Sequence, residues 1–303
     1  KSIVLTSGRK NSIQSRLVNF DEDKKFINSN DTILLKTYNE KTKGSGVSKL
    51  FFGNNGKLNL VQTTIPISDC FITNIVQSKN STNFIFTKEK YESSPNLYSA
   101  SLSGINKFTD LNTQQANYNW GSAELFQWKA YTGKLSEGVL YKPENFDAKK
   151  KYPMIVYFYE RNNQTLYNYI PPTPTPSRLN ISFFVSRGYI VFVPDIWYKN
   201  GKPGQSAYDY IVSGTRAIVK LGFVDSTKLG LQGQSWGGYQ IAHLITRTKL
   251  YAAAWAGAPV VNMTSAYGGI RWGTGINRQF QYEKSQSRIG ANLWERRDLY
   301  IEN

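Results

Sequence analysis

Seven consecutive residues, Gly233-Gln234-Ser235-Trp236-Gly237-Gly238-Tyr239, carry the combination of side chains best suited to covalent chemistry in this chain. A serine flanked two positions away on each side by glycine can sit on a sharp turn between a strand and a helix. The strained backbone there leaves no room for a Cβ on its neighbours. The spacing alone is not decisive, because 27 serines and 24 glycines in 303 residues give about 0.2 chance matches to Gly-x-Ser-x-Gly. The context decides. An apolar run ends just before Gly233, and a helix-like run, Tyr239-Gln-Ile-Ala-His-Leu-Ile245, follows. A helix N-terminus beyond the serine would aim backbone N–H groups and a positive dipole end at a developing oxyanion. The alternative is a glycine-rich strand-to-helix turn that happens to contain a serine.

Few other residues compete for chemistry. The single histidine, His243, lies eight residues after Ser235 on the same expected helix. At 1.5 Å per residue this places it about 12 Å along the axis, and its apolar neighbours predict a packed helix residue. The single cysteine, Cys70, reads as an inert small residue in a β unit, with no histidine near it in sequence. One cysteine and one histidine leave too few soft ligands for a zinc site, so no metal is expected. Each Gly-Lys pair lacks the following Ser or Thr of a phosphate-binding loop, and no other cofactor is expected.

The elements that must hold Ser235 fall into two textures. Up to about residue 120 the pattern is short and strand-like, with candidates at 32–38, 58–63, 83–87 and 96–102. Turn chemistry separates them at Gly44-Ser-Gly46, Asn54-Asn-Gly56, Ser93-Ser-Pro95 and Ser103-Gly104. Strands every ten residues or so, without an amphipathic helix, predict a meandering antiparallel unit such as propeller blades, though no fixed-period repeat is present. From about residue 123 the texture changes. Residues 126–131 and 135–141 predict a hairpin, and continuous apolar runs at 154–159, 189–193, 229–231 and 252–256 predict strands buried on both faces. Between them, Tyr208, Ile211, Val212, Thr215, Ile218 and Val219 share one helical face. Strand and helix alternate three times, which predicts a mainly parallel sheet wrapped by helices. The expected domains are 1–122, part of a β-propeller, and 123–303, an α/β domain.

Composition narrows the class. Hydrophobic residues make up 40% of the chain and charged residues 19%, enough apolar material for a core. No apolar run approaches the ~18 residues of a membrane-spanning helix. The formal charge is +16. We count 20 basic and 13 acidic residues in 1–150, and 17 and 8 in 151–303, so the excess is spread along the chain. No nucleic-acid-binding motif accompanies it, and a basic solvated surface facing an anionic envelope is the expectation.

Several stretches together resemble the prolyl oligopeptidase family of serine peptidases, including its dipeptidyl-peptidase branch. They are the blade-like segment Leu97 to Thr109, the entry Trp128-x-x-x-x-Gly133 with Gly138-x-x-Tyr141-x-Pro143, and Lys151-Tyr-Pro-Met-Ile-Val. The most specific is Asp225-x-x-x-Leu-Gly-Leu-x-Gly-x-Ser-Trp-Gly-Gly-Tyr239. The resemblance implies a β-propeller followed by an α/β-hydrolase domain. Ser235 would be the nucleophile, the Trp236 backbone N–H one oxyanion donor and the Tyr159 hydroxyl another. Tyr159 packed as core is the open alternative. The resemblance also implies aromatic walls for a substrate pocket after the strand that follows the elbow helix. Tyr267 is the candidate there, with surface or interdomain packing equally open. Two features depart from the family pattern: Tyr159 is followed by Glu160-Arg161-Asn162-Asn163 rather than a small glycine turn, and Asp195 lacks glycine and arginine companions. Ile170-Pro-Pro-Thr-Pro-Thr-Pro176 reads as a stiff loop between strand and helix rather than a polyproline ligand.

The expected function is hydrolysis of short peptide substrates through an acyl-enzyme on Ser235. Esterase activity on carbohydrate or lipid esters is the alternative within hydrolases, and a non-catalytic binding component of an envelope assembly the alternative outside them. Envelope or oligomeric partners stay open, and no nucleic-acid partner is expected. The ends at Lys1 and Asn303 read as cuts through a longer protein. The hydrolase domain is accordingly expected to be incomplete, with its acid and histidine beyond Asn303, and the 303-residue fragment inactive by itself. Periplasm or cell envelope is the expected location, with cytoplasm as the alternative.

Overall fold

Period-two and period-3.6 patterns separate cleanly in the computed structural model, which describes residues 8–18, 26–28, 31–52, 58–79, 81–101 and 104–303. Two compact units result. One comprises Lys1–Asn117 with Gln164–Tyr169, the other Tyr118–Asn163 with Ile170–Asn303. A six-residue excursion of the second chain segment thus belongs with the first unit.

The first unit contains two four-stranded antiparallel sheets, each laid down in chain order. One holds β1 (Ile13–Leu17), β2 (Thr32–Asn39), β3 (Ser45–Phe52) and β4 (Leu58–Ser68), the other β5 (Phe71–Gln77), β6 (Phe84–Lys90), β7 (Ser93–Ser101) and β8 (Gly104–Lys107). Such meanders are consistent with propeller blades. Leu34, Val47 and Ile65 of one sheet meet Ile72, Phe84, Phe86 and Ala100 of the other in a common core that also buries Cys70. The Cys70 thiol lies 3.2 Å from the Ser68 hydroxyl, a packed rather than reactive setting.

Two expected turns run into strands. Gly44-Ser-Gly46 leads into β3, because a Cβ on Gly46 would lie 2.6 Å from the Ile65 carbonyl oxygen of the neighbouring strand. Its glycine serves close strand approach where the β3–β4 register shifts. Ser93-Ser-Pro95 opens β7, with the β6–β7 register shifting opposite Pro95, so no ladder N–H is demanded of the proline. The Asn54-Asn-Gly56 turn lies outside the described residues, as do Leu102 and Ser103.

The second unit is built on a six-stranded sheet in the order β14-β13-β11-β12-β10-β9. Its strands are β9 (Ser122–Lys129), β10 (Leu135–Lys142), β11 (Tyr152–Tyr157), β12 (Ile190–Pro194), β13 (Val224–Gln234) and β14 (Ala253–Gly257). β9, β10 and β12 pair antiparallel, whereas β12, β11, β13 and β14 run parallel. The crossovers carry α1 (Ile181–Val185), α2 (Pro203–Val219) and α3 (Trp236–Ile245); α4 (Met263–Tyr267), α5 (Gln279–Glu283) and α6 (Arg297–Glu302) follow. The predicted face of α2 is the buried one: Ile211, Val212 and Ile218 join Met154, Val156, Phe192, Leu229 and Leu231 in the main core. Residues 170–176 form neither helix nor strand, as expected of the proline-rich loop.

Strand order fixes where chemistry can sit. After β11 the chain builds β12 on one side, then crosses back to build β13 on the other. The carboxyl ends of β11 and β13 therefore flank a topological switch point, where open α/β sheets bind ligands. Tyr157 of β11 is in register with Gln232 of β13, so the residues just beyond each strand, Tyr159 and Ser235, emerge at the same sheet edge.

Candidate active site

Ser235 is the single residue between β13 and α3, at φ 58° and ψ −111°. A non-glycine residue reaches this region only at a cost, and such strain concentrates at functional sites. The turn is held by the Ser235 N–H, which donates to the Gly257 carbonyl at 2.8 Å, and by the Tyr239 N–H, which donates to the Ser235 carbonyl at 3.0 Å. The hydroxyl makes no capping bond to the helix.

The neighbouring glycines are required by contact. A Cβ on Gly233 would meet the Gly237 carbonyl carbon at 2.8 Å, and one on Gly237 would meet the Phe158 carbonyl oxygen at 2.6 Å. A Cβ on Gly238 would meet the Gly257 carbonyl oxygen, also at 2.6 Å. The motif is thus three backbone-on-backbone contacts that bring the start of α3 against the ends of β11 and β14. Trp236, at the first helical position, has an N–H among those a helix leaves without an internal acceptor. Its indole stacks on Tyr239 with ring centroids 4.4 Å apart.

Tyr159 lies two residues past β11 and is 39% exposed, so it is not a core residue. Its backbone is clamped to the elbow. The Tyr159 carbonyl accepts the Gln240 Nε2 amide at 2.7 Å and the Tyr198 hydroxyl at 3.3 Å. Tyr198 in turn accepts the Trp236 indole N–H at 3.1 Å. Burial pushes the Tyr198 phenol well above its usual range, which keeps it neutral for both bonds. The Tyr159 hydroxyl accepts from Gln286 Nε2 at 2.6 Å.

The departures after Tyr159 and at Asp195 explain one another. Asp195 is buried, and its Oδ1 accepts the N–H groups of Asn162 and Asn163 at 2.7 and 3.0 Å. The Ile196 N–H donates to the Glu160 carbonyl at 2.9 Å, and Glu160 pairs with Arg288 at 2.9 Å. Carboxylate caps replace the small glycine turn and fix the loop that carries Tyr159.

Tyr267 closes α4 and is 3% exposed. It donates to the Glu283 carboxylate and packs edge-on against Trp294 and Tyr300, with centroids 5.5 and 5.3 Å away. It shares a buried cluster with Trp236, Tyr239 and Tyr282. Its ring supports the ground beneath the elbow and offers almost no surface of its own.

His243 sits on the far part of α3 against α2, where a Cβ on Gly204 would lie 2.6 Å from its ring. Its Nε2 is buried without a hydrogen-bond partner among the described residues. Burial, then the Arg247 charge, lower its pKa. It is a packed neutral imidazole, as its helical spacing predicts. Among the described residues no group of three or more His, Cys, Asp or Glu could hold a metal ion.

The residues that sequence reasoning missed are Tyr198, Gln240, Gln281 and Gln286. Only Gln240 gave a signal: it lies four residues after Trp236, on the same helical face.

Residues 175–289 match the model of the prolyl oligopeptidase family. Human dipeptidyl peptidase 8 is 29% identical over 183 residues, covering 56% of this chain and 20% of that protein. Dipeptidyl-peptidase 5 of Porphyromonas gingivalis is 28% identical over 141 residues, covering 41% of this chain and 19% of the relative. The matches thus span about a fifth of the length of these relatives. Among solved structures, Pyrococcus horikoshii acylaminoacyl peptidase superposes with a TM-score of 0.64 at 16% identity, over 89% of this chain and 41% of that one. Porphyromonas gingivalis dipeptidyl peptidase 4 gives 0.62 at 20% identity, over 85% and 36%. The fold is that of these peptidases, and residues 175–289 are similar to the prolyl oligopeptidase family.

Proposed function

We propose that the protein containing this chain is a serine-type peptidase that hydrolyses short peptides through an acyl-enzyme on Ser235. The observation that carries the reading is the strained Ser235 elbow, packed by Gly233, Gly237 and Gly238, within a region similar to the prolyl oligopeptidase family. In this reading Ser235 Oγ attacks the scissile carbonyl, forming a C–O bond as its proton passes to a general base. The carbonyl oxygen becomes an oxyanion that accepts the Trp236 N–H and the Tyr159 O–H. Collapse expels the amine, which takes the proton, and water then cleaves the ester by the reverse sequence of transfers. His243 is unsuited as the base, so base and orienting acid come from outside these 303 residues. Tyr267 would back the pocket through the aromatic cluster. We place the protein in the periplasm or cell envelope, where its charge of +16 meets anionic surfaces.

The test is labelling of the native protein by a serine-reactive fluorophosphonate, together with turnover of a chromogenic dipeptide. Both are expected in wild type and lost in Ser235→Ala. Retention of either by the variant overturns the nucleophile. Labelling with turnover of acyl esters but not of peptides would favour an esterase. Recovery in the cytoplasmic fraction would overturn the location.

A further inference from the structure

Behind the Tyr159 hydroxyl runs a chain of three hydrogen bonds. Arg271 Nη2 donates to Gln281 Oε1 at 3.1 Å, Gln281 Nε2 donates to Gln286 Oε1 at 2.5 Å, and Gln286 Nε2 donates to the Tyr159 hydroxyl at 2.6 Å. A carboxamide can face a partner with either end, so two glutamines alone would leave the direction open. The guanidinium removes that freedom, because arginine has donors only. Gln281 must present oxygen to Arg271 and therefore nitrogen to Gln286. Gln286 must then present oxygen to Gln281 and nitrogen to Tyr159. The backbone holds both amides in place: the Gln281 carbonyl accepts the N–H groups of Gln286 and Ser287, each at 3.0 Å. Arg288, which pairs with Glu160 next to Tyr159, also donates to the Gln286 carbonyl at 2.5 Å.

A phenol oxygen that already accepts a proton from Gln286 cannot give its own proton to that partner. We propose that Gln286, aligned by Gln281 and Arg271, is a positioning residue that forces Tyr159 to act as a donor toward the oxygen atom at the elbow. The proposal rests on the reading of Tyr159 as an oxyanion donor. Were an amide or carboxylate oxygen to replace Gln286 Nε2, the Tyr159 proton would be captured, at the cost of one oxyanion bond. Loss of one such donor lowers kcat by about 100-fold or more.

Two substitutions reverse the chain. Gln286→Glu puts an accept-only carboxylate against Tyr159. Gln281→Glu acts from one side chain further away: its carboxylate still accepts from Arg271 but has no proton for Gln286, whose amide must turn and show oxygen to Tyr159. In the native protein, with a chromogenic dipeptide, both variants should lose about 100-fold or more in kcat with KM within about twofold. Their melting temperatures should stay close to wild type. The Q286E-to-wild-type ratio of kcat should recover as pH falls through the carboxyl range, because a protonated carboxyl regains a donor. Tyr159→Phe should lose as much, and adding Gln286→Glu to it should cost nothing further. If Y159F is slow while Q286E and Q281E keep kcat within about twofold of wild type, the direction-setting role is overturned and the reading of Tyr159 stands. If Y159F keeps full kcat, both fall. Melting of either Glu variant with wild-type cooperativity makes its kinetics decisive, and the two act at different sites, so misfolding of one leaves the other to judge.

Discussion

At Ser235 the backbone conformation is held against its own preference, and the cost can be measured. Glycine adopts φ 58°, ψ −111° without the penalty that a Cβ brings, which is of order 1–3 kcal/mol. Ser235→Gly is therefore expected to stabilise the fold by about 1 kcal/mol, a rise of roughly 2–4 °C in Tm for a domain of this size. Fluorophosphonate labelling should vanish in the same variant. A Ser235→Gly protein that melts below wild type would show that the turn is not strained. Gly237→Ala is predicted to act in the opposite sense. Its Cβ would meet the Phe158 carbonyl at 2.6 Å, a backbone atom that cannot swing aside, so differential scanning should show about 1–3 kcal/mol of destabilisation. These residues were legible because serine and its glycines are neighbours in sequence. Gln286 was not, since it meets Tyr159 across 127 positions from a loop whose composition signals nothing.

The parallel strands and α2 could be read from apolar runs and helical spacing because burial on known faces dictates residue type. β3 and the start of β7 were obscured because glycine and proline have two uses. Gly46 lets two strands approach and Pro95 sits at a register shift, whereas the same residues in isolation signal turns. The α2–α3 contact is set by Gly204 under the His243 ring, and it makes stability respond to pH. Burial and Arg247 hold the folded-state pKa of His243 below its ordinary value of 6.5. The unfolded chain then binds the proton more readily, so stability is fully present above about pH 6.5 and declines as pH falls through that value toward the lower folded pKa. Tm measured between pH 8 and pH 5 should drop, and His243→Gln should remove part of that drop. An unchanged pH dependence in H243Q would mean that the ring is solvated enough to titrate normally.

Considered as a whole, the chain sets Ser235 on a strained turn with Tyr159 at the same sheet edge, and its one histidine, His243, is packed against α2. A serine hydroxyl needs a proton acceptor within about 3 Å. His243 is eight residues along α3 from Ser235, about 12 Å along the axis at 1.5 Å per residue, and its ring is wedged against Gly204 of α2. Moving it to the elbow would require α3 to unwind through Tyr239, Ile241 and Leu244, all buried. Each buried apolar side chain so exposed costs about 1.5–3 kcal/mol. The matched relatives are about five times longer than the region they share with this chain, so a base supplied by the remainder of the protein is consistent with that disparity. The prediction is that the 303-residue chain, expressed alone, folds but does not turn over a chromogenic dipeptide, and that fluorophosphonate labels Ser235 far more slowly than in the native protein. An aligned oxyanion hole without base and acid gives only a residual rate, about 10³–10⁴-fold over water, which lies below what such an assay detects. His243→Gln should leave the native protein's kcat within about twofold of wild type. Brisk Ser235-dependent turnover by the 303-residue chain, abolished by H243Q, would instead make His243 the base and require α3 to rearrange in the working enzyme.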